Sequence, residues 1–234
     1  MDNLNIGHHI SRQYNEALED VRTKVLSMGG FVEQQIHDAV RAMVEQDVDL
    51  AREVSENDHR VNGMEVDIDE ECTHILVRRQ PAASDLRLVT AIIKTIADLE
   101  RIGDEAARIA RMTMRLQGEQ RAVKLLPRIR QMGQKVRDMV RGALDAFAHL
   151  DAEKAVQIWG DDRAVDEEYE SLMRELMTFM MEDPRTIPNI IDTVFSIRAI
   201  ERIGDRATNI CEYVIYLVKG KDVRHTRVKG SENK

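Results

Sequence analysis

ERIGDEAARI, Glu100 to Ile109, and ERIGDRATNI, Glu201 to Ile210, are one decapeptide written twice. Seven of the ten positions are identical at a constant offset of 101 residues. A period of that length signals duplication of a whole unit rather than a short solenoid repeat. Upstream the offset becomes 104: Met28-Gly29 returns as Met132-Gly133, and Val25, Val32, Ile36, Val40, Asp47, Ala51, Asp58 and Val61 meet Ile129, Val136, Val140, Leu144, Asp151, Ala155, Asp162 and Val165. The three-residue difference falls near Pro81 and Pro184, where a connection tolerates a deletion.

Around these anchors the apolar residues keep a helical period. Ile200, Ile203, Ala207, Ile210, Val214 and Leu217 alternate steps of three and four, and Ile92, Ile96, Leu99, Ala106 and Ile109 follow the same rhythm. Hydrophobic residues make up 43% of the 234 but aromatics only 4%, so the apolar load is aliphatic and suits helices. No alternating strand pattern is present. The expectation is an all-α chain of two tandem, internally duplicated antiparallel three-helix bundles. Their helices are placed at about 8–46, 49–79, 84–117, 122–148, 151–182 and 187–219, with ends good to a few residues. The units are then 1–118 and 119–220, joined near Gln117-Gly118-Glu119-Gln120, with a polar tail at 221–234.

The net charge of −8 argues against nucleic acid as a partner. Two cysteines without CxxC spacing, Cys72 and Cys211, fit a reducing compartment. No secretory leader is read in Met1 to Ile10, and no apolar run reaches the ~20 residues of a spanning helix, so a cytoplasmic location is expected.

The repeated pentapeptide carries the chemistry. Glu201, Asp205 and Asn209 stand at i, i+4 and i+8, and Asp162 and Asp166 are four apart on the preceding helix. If those helices are antiparallel neighbours, the stripes face one groove, and their oxygens suit hard or borderline cations. The first-half counterparts are Asp58, Asn62, Glu100, Asp104 and Arg108. Asn62 stands where the second half has a carboxylate, and the Arg108 guanidinium cannot ligate a cation, so a weaker first site is expected. A solvated helix face is the plain alternative for acids four apart, and recurrence in register is the argument against it. Gly103 and Gly204 point to close approach of a neighbouring helix, and Arg101 and Arg202 to surface salt bridges. Two Glu-x-x-His strings, Glu56 to His59 and Glu71 to His74, lie about 22 Å apart along one helix, which excludes a di-iron core. No nucleophile triad, phosphate-cradling loop or zinc signature accompanies these residues, so no enzyme is expected.

The paired ERIGD segments, RQPAASDLR at Arg79 to Arg87, and ERIGDRATNICEYVIYLVKG at Glu201 to Gly220 together resemble the PhoU family, over essentially the whole chain. The resemblance implies two three-helix bundles in a homodimer and a negative regulatory role in phosphate uptake. It implies an adaptor between the transporter's ATPase subunit and a membrane sensor histidine kinase, reaching the membrane only through those partners. It also implies multinuclear metal clusters held by an acid, three residues, then Asp. That motif carries over to Asp162 with Asp166, Glu201 with Asp205 and Glu100 with Asp104, and in part to Asp58, and it leaves iron, zinc, nickel and magnesium open as the cation. Metal or phosphate storage, and more distantly a metal-dependent phosphohydrolase, are the competing classes.

Overall fold

The computed structural model describes residues 12–79, 83–116, 124–221 and 223. The linker at 117–120, most of the 221–234 tail and the first eleven residues lie outside that set. Among the described residues seven α-helices follow one another: α1 Arg12–Glu45, α2 Val48–Glu56, α3 Asp58–Arg79, α4 Ala83–Arg115, α5 Leu126–His149, α6 Ala152–Glu182 and α7 Ile187–Lys219. A 3-10 turn at Pro184–Thr186 leads into α7. Among the described residues there is no strand, and no helix is long and apolar enough to cross a membrane. The helix placed at 49–79 is interrupted at Asn57, giving α2 and α3, whereas its duplicate α6 runs unbroken.

Both halves turn from their first helix into the second in the same way. Gln46 and Leu150, 104 residues apart, hold left-handed φ angles of 58° and 54°. The next residue in each case is an N-cap: Asp47 accepts from the Leu50 N–H, and Asp151 from the Glu153 and Lys154 N–H groups. Proline stands at the first turn of α5 and of α7, where its missing N–H removes no helical bond. At the other end of α7, Gly220 adopts φ 65° and donates its N–H to the Tyr216 carbonyl at 2.8 Å.

The halves are not separate in their packing. α1 and α4 pack together, as do α5 and α7, and across the duplication α4 packs on α7 and α1 on α5. Four long helices thus close a ring, with α2 and α3 against one side and α6 against the other. One continuous apolar core runs through both halves, including Val25, Met28, Ile36, Ile102 and Ile109 with Val136, Phe147, Ile203 and Ile210. Glycines set the α1–α5 approach in pairs. A Cβ on Gly133 would lie 2.7 Å from the Val40 methyls, and one on Gly29 would run into Leu144 Cδ1.

Candidate functional site: two carboxylate clusters

Gly204 decides the geometry of the second-half cluster. Asp162 of α6 packs over it, with Oδ1 only 3.3 Å from where a Cβ would stand, and Val136 and Val165 close the sides. That oxygen is buried and has no hydrogen-bond partner. A carboxylate left so is costly when charged, and its pKa is pushed up to about 7, first by burial and then by Asp166, Asp205 and Glu201. The three neighbours are raised too, each by desolvation first. Asp166 also feels Glu170; Glu201 feels Asp205 and Asp166, opposed by Arg198 and Arg202; Asp205 feels Asp166, opposed by Arg206 and Arg202. Asp162 and Glu201 are half-buried, whereas Asp166 and Asp205 are exposed at the mouth.

The first half repeats the arrangement with substitutions. Gly103 receives Val61 and the Gln35 amide, each 3.3 Å from a built Cβ. Asp58, at the start of α3, has a buried Oδ1 without a hydrogen bond, and its pKa is raised by burial and then Asp104, against Arg111 and His59. Glu100 is raised by burial, then Asp104, Glu65 and Asp58, against Arg101. Asn62 is exposed. The fourth carboxylate is Glu65, seven residues after Asp58 and therefore on the same helix face, a heptad signal the i+4 reading passed over. Gln35 was also unanticipated: it is 4% exposed and neither amide atom is hydrogen-bonded.

Asn209, an expected member, and Arg108, its first-half counterpart, both turn elsewhere. Asn209 does not join the carboxylates, because eight residues advance a helix about 80° beyond two full turns. Its amide donates to Asp98 of α4 at 3.4 Å. Arg108 pairs with Glu105 at 3.5 Å, and the guanidinium facing Asp58 is Arg111. Asp98, 1% exposed, gathers a cross-half network: Tyr213 Oη donates to Oδ2 at 2.7 Å, Arg206 to Oδ1 at 3.3 Å, and Arg101 stands 3.6 Å away. Arg202 donates to Glu105 at 3.1 Å, so both pentapeptide arginines form salt bridges. His59 and His74 are exposed.

The donor chemistry of each cluster fits a hard or borderline cation, and each contains one orphaned buried carboxylate oxygen. Among the described residues, however, no three His, Cys, Asp or Glu side chains converge on one point in a geometry that holds an ion.

The model of the PhoU domain matches twice, at residues 25–113 and 129–214, once in each half. The chain belongs to the PhoU family. It is 54% identical over 225 residues to the phosphate-specific transport system accessory protein PhoU of Edwardsiella tarda, covering 96% of this chain and 92% of that one. The accessory protein of Escherichia coli is 53% identical, with 96% and 93% covered. The crystal structure of PhoU from Pseudomonas aeruginosa superposes with a TM-score of 0.86 at 50% identity, spanning 89% of this chain and all of that one. The phosphate transport system regulatory protein PhoU from Streptococcus pneumoniae gives 0.83 at 32% identity, with 90% and 99% covered. This chain is therefore a PhoU-family accessory protein of a phosphate transport system, with the family's all-helical tandem fold.

Proposed function

We propose that the protein is a cytoplasmic negative regulator of phosphate uptake and of the phosphate-starvation response. It acts as an adaptor, as a homodimer, between the ATPase subunit of the phosphate-specific transporter and a membrane sensor histidine kinase, and it catalyses no reaction itself. The observation that carries this reading is end-to-end similarity, at more than half identity, to proteins named as accessory to that transport system. An adaptor of this kind works by binding one state of a partner better than the other. The α6–α7 hairpin offers a surface for it: Met177, Met181, Ile191 and Phe195 are exposed within about three turns of the connection between the helices.

The carboxylate clusters enter the same proposal as cation sites. Asp162, Asp166, Glu201 and Asp205 would hold the ion in the second half, and Asp58, Glu65, Glu100 and Asp104 in the first. A bound cation supplies positive charge to the orphaned Asp162 and Asp58 oxygens and locks α6 to α7 and α3 to α4. The exposed Asp166 and Asp205 side chains turn inward to complete the set.

Affinity capture from phosphate-replete and phosphate-starved cells tests the adaptor reading. Recovery of the transporter ATPase or the kinase, changing with phosphate supply and weakened by Met181→Glu with Phe195→Glu, is the expected result. Capture of neither partner from intact membrane complexes overturns it. For the cation sites, iron, zinc, nickel and magnesium are added singly to the EDTA-treated protein, which is then melted. At least one raises the melting temperature of the wild type and not of Glu201→Ala/Asp205→Ala; equal responses in both rule the site out.

A further inference from the structure

A groove where α1 crosses α5 is lined with positive charge, in a chain whose net charge is −8. Its volume is about 150 Å³, and Arg41, Arg130, Arg137, His37 and Glu45 line it around the Val40–Gly133 contact. That is room for about five waters, enough for one tetrahedral oxyanion.

Comparison with the duplicated copy shows that the charge is not a property of the scaffold. At the offset of 104, Arg41, Arg130 and Arg137 correspond to Asp145, Leu26 and Glu33, and His37 to Arg141. In that copy the pair is balanced: Arg141 Nε donates to Glu33 at 2.8 Å. In the groove the same positions set Arg137 against an imidazole, with Nη1 3.0 Å from His37 Nδ1, so that ring nitrogen must be unprotonated to accept. Two carboxylates reach the rim cations, Glu45 pairing with Arg130 and Asp38 with Arg41, each at 3.2 Å. No carboxylate of a described residue pairs with Arg137, and its Nε is a buried donor with no partner.

A half-buried guanidinium without a carboxylate partner among the described residues, flanked by two exposed ones, presents planar forks that match a tetrahedral oxyanion. We propose that the α1–α5 groove binds a single phosphate group, with Arg137 as its anchor, Arg41 and Arg130 at the rim and His37 fixing the anchor's orientation. The group is that of inorganic phosphate or of a phosphomonoester. The proposal stands on the groove alone, whichever partners the protein has.

The test is calorimetric titration of the full chain, treated with EDTA, at low ionic strength. Inorganic phosphate is one titrant and glycerol 3-phosphate the other. The expected result is saturable binding at one site per chain, weakened about tenfold or more by Arg137→Gln. The paired change Arg137→Glu with His37→Arg installs the balanced pair of the other copy, keeps the helical circular dichroism and abolishes binding. Should Arg137→Gln fail to fold, Arg41→Gln on the exposed rim reads the same site. Tighter binding of inorganic phosphate identifies the free ion as the ligand, and tighter binding of glycerol 3-phosphate identifies a phosphorylated molecule. Absence of saturable binding at millimolar phosphate, or undiminished affinity in the folded variants, overturns the proposal.

Discussion

Replacing Asp162 by Asn gives the sharpest test of how the second cluster is built. The folded-state pKa of about 7 stands roughly three units above the ordinary 3.8, with burial as the leading cause. A carboxylate whose folded pKa is raised supports the folded state below about pH 4. It loses that support progressively as pH rises towards 7, because the unfolded chain sheds the proton first. At 1.36 kcal/mol per unit the full loss is about 4 kcal/mol, and solvent at the half-buried side chain reduces it to about 2. Asn keeps the volume and does not titrate. In EDTA-treated protein, Asp162→Asn should therefore melt with the wild type near pH 4 and rise above it through pH 7. Above pH 8 the difference should stay constant at roughly 4–8 °C, taking about 2–4 °C per kcal/mol for a chain of this size. Thermal melts followed by circular dichroism read it directly. A variant less stable than wild type at pH 8, or a difference that does not change with pH, would refute the account of Asp162 as a carboxylate held without a partner.

Tyr213→Phe removes a 2.7 Å bond to the buried Asp98 carboxylate and should cost about 1.5–3 kcal/mol in denaturant unfolding. A double-mutant cycle with Asp98→Ala should show coupling, whereas strict additivity would sink the cross-half network. Gly133→Ala should destabilise by about 1–3 kcal/mol because its methyl meets Val40. Gly160→Ala, in open space on α6, should instead stabilise by about 0.5–1 kcal/mol, so the two variants must move the unfolding midpoint in opposite directions. Cys72 and Cys211 are buried, and burial pushes both thiols up to about 12, so a thiol reagent at pH 8 should label them only as the protein unfolds. Prompt labelling of the native protein would contradict that burial.

The helices, the duplication and the residues of the pentapeptide could be read from the chain alone. Helical period is local: the steps of three and four that put Ile203, Ala207 and Ile210 on one face act through backbone geometry alone. The offset of 104 likewise made Asp47 and Asp151 equivalent, and both proved to be N-caps. Equivalence of position did not determine contact. Asn209 follows Asp205 by one turn, yet the drift of the helix and the packing of α7 on α4 carry it to Asp98, a residue with Ala199 as its duplicate. Glu65 joined the first cluster because α3 lies against α4 in the register that brings it near Glu100. The balanced Glu33–Arg141 pair and the unbalanced Arg137–His37 pair became visible only once α1 and α5 crossed. A period along one chain fixes which face a side chain takes; which charge it meets depends on how another helix lies across that face, and that was decided by the closing of the core.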